Sequence, residues 1–137
     1  MKHLAIFNFA NYSIGREENF RRWHLLKTPW FSIYFHGIYK ADEDKHLHNH
    51  PWNYTSICLW GSFFEASQHS MTLVSPLTIS KQKSSRFHKI WKLQSKAVYT
   101  LFIVSNRVEG DWGYLVDGKF VDHKTYRKLK NKDDKEN

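Results

Sequence analysis

Four residues carry most of the chemistry legible in this 137-residue chain: His48, His50, His88 and Arg86. Nine histidines is an excess for the length, and imidazole is the commonest side-chain metal ligand. His48 and His50 stand two apart in KHLHNHPW. In an extended strand residues i and i+2 project to one face, so both rings point the same way, with Asn49 opposite. Two such rings reach one metal ion at about 2.0–2.1 Å each. His46 joins them as a fourth or supporting group if the strand extends that far. Pro51 ends regular pairing and places the pair at a strand end, near a barrel mouth.

His88, in RFHKIWKL, is the candidate third ligand. Arg86 and Ile90 share its face, while Phe87, Lys89 and Trp91 share the other. An inward His88 brings Arg86 inward, where a guanidinium needs a partner and suits a carboxylate or phosphate. Alternation alone leans the other way, with Phe87 and Trp91 in the core and Arg86 and His88 in solvent. Glu65 is a tempting carboxylate ligand. A regular hairpin centred on Gly61, however, pairs His50 near residue 72 and leaves Glu65 roughly 23 Å away. Asn53 is nearer in sequence and offers an amide oxygen, as ligand or as supporting hydrogen bond. Trp52 is a candidate wall of the pocket. His3, His24, His36, His69 and His123 read as surface or hydrogen-bonded histidines.

The elements that must position these groups read mostly as strands. The first dozen residues alternate weakly, as an edge strand does. Residues 16–27, REENFRRWHLLK, are predicted as a short helix, from Glu17 and Glu18 in a first turn, Phe20 and Trp23 at i, i+3, and the stop at Pro29. Strands are predicted over 30–40, 53–60, 62–67, 71–80 (interrupted by Pro76), 86–93 and 97–105. Asp117-Gly118 marks a hairpin within 111–122. A second short helix is expected near 123–130, then a flexible charged tail over 131–137. Seven or more short strands predict an all-β sandwich or barrel with peripheral helices, in one domain over 1–130.

Composition agrees. Six Trp, seven Tyr and ten Phe can fill one compact core. Cys58 is the only cysteine, so no internal disulfide forms and a reducing cytoplasm is expected. The N-terminal apolar run is too short and too polar for a signal peptide, and no segment has the length of a membrane span. The net charge of +8 favours anionic partners.

The string LHNHPW followed by LWG, together with RFHKI and the stretch TLFIVSNRVEGDWGY with its DGKF turn, resembles the small cupin-like proteins of bacteria and tailed phages, distant relatives of cysteine-dioxygenase-type cupins. The resemblance spans roughly residues 20–122. It implies a single double-stranded β-helix, the jelly-roll barrel, with the first metal motif on His48 and His50 and the histidine of the second motif on His88. The glutamate that most cupins carry after the second histidine is replaced here by Asn53 or Tyr54. That departure implies a three-histidine site. The second motif also lacks the usual Pro-x-Gly.

Three function classes follow. The first is a mononuclear enzyme, non-haem Fe(II) being favoured and Zn, Mn or Ni alternatives, that acts on a small anionic substrate held by Arg86. The second is a non-catalytic barrel that sequesters a small, nucleotide-like ligand. The third is a nucleic-acid-associated protein, which the basic charge favours and the absence of any recognised motif weakens. A homodimer is a further expectation from the resemblance, with strand addition through the aromatic N-terminal segment. No nucleophile elbow, P-loop or acid–base carboxylate pair is visible, so no catalytic residue is assigned.

Overall fold

The computed structural model describes Asn11–Tyr12 and residues 19–136. The strands are β1 (Asn11–Tyr12), β2 (Phe20–Lys27), β3 (Phe31–Ile38), β4 (Tyr54–Trp60), β5 (Phe63–Ser67), β6 (Met71–Val74), β7 (Ile79–Gln82), β8 (His88–Leu93), β9 (Val98–Ser105), β10 (Gly113–Val116) and β11 (Lys119–Asp122). One helix follows, α1 (His123–Glu136). None of the described helix is long and apolar enough to cross a membrane.

Two antiparallel layers face each other. The first has the strand order β1-β2-β3-β9-β4-β7. The second consists of β6-β5-β8 and the hairpin β10-β11. His48 pairs with both His88 and Tyr114 and so joins these two parts across a single stretch of chain. The buried cluster of Ile38, Cys58, Phe63, Val74 and Val98 draws on both layers. A second cluster, Tyr54, Phe102 and Val104, lies against Tyr34 and Trp52. In β9 the alternation is complete: Val98, Thr100, Phe102 and Val104 are buried and the residues between them are not. This is the all-β jelly roll that the strand pattern and the resemblance imply.

Several local readings change. The helix expected over 16–27 is a strand where it is described: 20–27 pairs with β3 from Phe20↔Ile38 to Lys27↔Ser32, with a bulge between His24 and Leu26. The i, i+3 spacing of Phe20 and Trp23 was coincidental. Pairing satisfies the outer edge of β3, and that outweighs a weak helical pattern. Residues 16–18, and most of the N-terminal edge strand expected over the first dozen residues, lie outside the described part, apart from Asn11–Tyr12. The C-terminal helix begins where expected, capped by Asp122 Oδ1, which accepts from the amides of Lys124 (2.9 Å) and Thr125 (3.0 Å). It then continues through 131–136, where a flexible tail was expected.

The hairpin at Asp117-Gly118 has positive φ at both residues, 51° and 77°, as a type I′ turn requires. Gly61 also has positive φ, 79°, but it does not centre a hairpin. β4 pairs with β7 and β9, whereas β5 pairs with β6 and β8. Gly61 therefore carries the chain from one layer to the other. A Cβ there would sit 2.2 Å from the Ala97 carbonyl oxygen.

Candidate metal centre

His48, His50 and His88 converge between the layers, with one ligand nitrogen from each within 4.8 Å of the others. The backbone fixes two of them directly. The His48 amide donates to the His88 carbonyl (2.9 Å), and the His88 amide donates back (2.8 Å). Asn49, between the two neighbouring histidines, points away as alternation requires. It is buried, donates from Nδ2 to the Asp111 carbonyl (3.0 Å) and accepts from the Gly113 amide (2.8 Å). His50 is stacked on Trp52 at 5.9 Å between ring centroids.

The nitrogen pair His50 Nε2 and His88 Nε2 is 3.0 Å apart. Two ligands about 2.1 Å from one ion and at right angles would be separated by about 3 Å, so this donor pair fits a metal ion. Protonation states fit as well. Burial, with His88 nearby, pulls His48 down to about 3. Burial and then His88 and His48 hold His50 well below its ordinary value. Both are thus neutral imidazoles, the form that binds metal.

Glu65 corrects the sequence reading most sharply. Because Gly61 crosses between layers, Glu65 pairs with Ile90 on β8 and lies beside the site, not a strand length away. Its Oε2 accepts from His88 Nδ1 at 2.9 Å and its Oε1 from Arg86 Nη2 at 2.7 Å. Burial pushes the carboxyl up, but the bonds from His88 and Arg86 outweigh this and hold it below the usual carboxylate range. With Nδ1–H given to Glu65, His88 turns its Nε2 lone pair toward the other two histidines.

The remaining sequence candidates separate. Arg86 does turn inward with His88 and Ile90, while Trp91 is 51% exposed, so the polar face of this strand is the interior one. The group Arg86 meets there is Glu65. Asn53 is exposed, and its Oδ1 accepts from the Ser84 amide at 2.8 Å; it fastens a loop and does not line the cavity. Of the two residues that stand in the glutamate's place, Tyr54 is the one at the site, its hydroxyl 3.3 Å from His88 Nε2. Burial and the neighbouring Glu65 push its phenol well up, so it stays an O–H donor. His46 Nδ1 is instead 3.0 Å from the Tyr126 hydroxyl on α1. Trp52 backs His50 and does not wall the cavity.

The histidines open on a cavity of about 450 Å³. His36, read from sequence only as surface or hydrogen-bonded, lines it and is buried. Its signal was its place in the alternating run 31–38, which puts it on the inner face with Ser32, Tyr34 and Ile38.

No family model matches the chain, and no curated relative does. Solved structures do. A cupin 2 conserved barrel domain protein from Rhodopseudomonas palustris superposes with a TM-score of 0.61 at 10% identity, covering 88% of this chain and 81% of that one. A cupin-2 domain, Rru_A2000 from Rhodospirillum rubrum, gives 0.59 at 11% identity over 88% and 79%. Fe(II) HppE gives 0.58 at 10% identity over 69% of this chain and 55% of that one, so this chain spans about half of that protein. Two facing antiparallel layers, three converging histidines at one end of the interior and these superpositions together show that the chain has the cupin fold.

Proposed function

We propose that this protein binds one divalent metal ion through His48, His50 and His88 and acts as a mononuclear, oxygenase-like enzyme on a small molecule admitted to the cavity. The observation that carries this reading is the convergence of three histidines, His48 and His50 half-buried and held neutral and His88 buried and oriented by Glu65. Fe(II) is favoured because three imidazole ligands leave coordination positions open, and the likeness to Fe(II) HppE supports that choice. Such an ion would supply Lewis-acid or oxygen-activating chemistry.

The chain's own residues would do the rest. Glu65 holds the ring of His88 in one orientation. Tyr54 presents a hydroxyl beside His88 Nε2, placed to donate to a ligand atom there. Phe102, stacked on Tyr54 at 4.5 Å, keeps that side of the cavity apolar and restricts water. The free thiol of Cys58 supports a reducing, cytoplasmic setting.

The test is the metal content of protein purified without an affinity tag. About one equivalent of iron is expected, with near-total loss in His48→Ala and His88→Ala. Protein that holds no metal, and whose melting temperature is unmoved by Fe(II), Mn(II), Ni(II) or Zn(II), would overturn the proposal.

A further inference from the structure

His36 lies on β3, across the cavity from β8, and its environment fixes which atom it offers. Arg22 is its direct cross-strand partner and donates from Nε to His36 Nε2 at 3.0 Å. Arginine is always a donor, so Nε2 must carry the lone pair and the proton of the neutral ring must sit on Nδ1. The guanidinium is itself fixed, 4.7 Å over the ring of Tyr34. His36 is 5% exposed and lines the cavity, and its Nδ1 makes no hydrogen bond to the described residues. Burial and the adjacent Arg22 keep the ring neutral. Arg86 Nη1 is the one buried side-chain polar atom without a partner among the described residues, so the His36 N–H is open to the cavity, where a bound molecule is a natural acceptor for it.

The surroundings say what kind of acceptor. Thr100 is directly opposite His36 in the β3–β9 register, and Ser56 is on the neighbouring strand; both line the cavity, and neither hydroxyl makes a hydrogen bond to the described residues. Three of the four lining carboxylates are already paired, Glu43 with Lys40, Asp44 with Lys130 and Glu65 with Arg86. The groups beside His36 that are left for a ligand are the neutral Thr100 and Ser56 hydroxyls, and a hydroxyl or carbonyl oxygen matches them. The ring of Phe102 stands between the two sites, 4.9 Å from His36 and 6.0 Å from His50 by centroid.

We propose that His36 is a specificity-determining residue: its Nδ1–H, with the Thr100 hydroxyl beside it, donates to an uncharged oxygen of a small molecule whose other end lies on the metal. This rests on the three-histidine reading above and adds the chemical class of the ligand's far end.

The test uses zinc-loaded full-length protein and a short homologous series of hydroxamates. The hydroxamate binds the metal, and each ω-hydroxyalkyl member is compared with the n-alkyl isostere that replaces its hydroxyl by methyl. At the length that reaches His36, wild type should favour the hydroxyl by about fivefold, the ratio expected of one hydrogen bond. His36→Phe should abolish the preference and His36→Gln should retain it, with zinc content unchanged in both. Equal ratios in wild type and His36→Phe at every length would overturn the assignment while leaving the metal site standing. A wild type that takes up no zinc would remove both. Should His36→Phe fail to fold, long-range ¹H–¹⁵N correlation of the wild-type protein decides: protonated Nδ1, shifted by the hydroxyl-bearing probe, is expected, and a protonated Nε2 sinks the proposal.

Discussion

His88 and His36 face one cavity from opposite layers, in the same tautomer, and offer it opposite things. On the β5–β8 wall a carboxylate, Glu65, takes the Nδ1 proton of His88 and leaves a lone pair for the interior. On the β2–β3 wall a guanidinium, Arg22, takes the Nε2 lone pair of His36 and leaves an N–H. The sign of the partner's charge, more than the histidine or its burial, decides whether a ring serves as ligand or as hydrogen-bond donor. The walls differ in cost as well. Glu65 answers two polar groups at once, Arg86 and His88, whereas Arg22 divides itself between His36 and the face of the Tyr34 ring.

The largest effect should come from removing the shared carboxylate. Glu65→Ala leaves the inward, half-buried Arg86 without its ion-pair partner and frees the ring of His88. A loss of about 3 kcal/mol in urea unfolding and a 10–100-fold weaker metal affinity are expected. Full affinity in that variant would show that the backbone pairing of His48 and His88 orients the ring unaided.

Acid comes next. His48, His50 and His36 are held neutral in the folded protein and take up protons near pH 6.5 once unfolded. The unfolded chain therefore binds more protons, and stability rises with pH between about 3, the folded value of His48, and about 6.5. By pH 5 a ring of this kind loses about 2 kcal/mol of its contribution. Glu65, held low, adds a loss of the same sign at lower pH, whereas Asp42, raised by burial, opposes it near pH 4. A melting temperature that is flat from pH 7 to 5 in metal-free protein would contradict this.

Arg22→Met should cost about 1.5 kcal/mol and leave metal content intact, because that wall does not hold the ion. Loss of metal there would erase the distinction between the walls. Smallest of all, Asn53→Ala should cost about 1 kcal/mol, the value of its bond to the Ser84 amide, with no change in bound metal.

Much of the fold was legible because β3, β4, β8, β9 and the β10–β11 hairpin follow alternation and turn chemistry locally. The interior of β2 was not, since its inward residues include Arg22 and the strand gains its partners only from β3. His48 and His50 could be read from spacing. The place of Glu65 could not, because it depends on Gly61 passing between layers, and a glycine of positive φ serves a hairpin and a crossing equally well. Arg86 and His88 beat two aromatics for the interior because Glu65 waits there for them, a partner 21 residues away in one case and 23 in the other.

The seam that closes the second layer has a further consequence. Among the described residues, β8 and β10 are joined through the stretch around His48, held by a few amide pairs and the side chain of Asn49. Gly113 leaves no slack on its far side, for a Cβ there would meet the Val121 carbonyl oxygen at 2.2 Å. An ion held by His48 on the seam, His88 on one flank and His50 beyond it would act as a rivet across this line of closure. Slow deuterium uptake at the amides of His48, His88 and Leu115 should then mark the loaded protein, and faster uptake at the same amides the empty one.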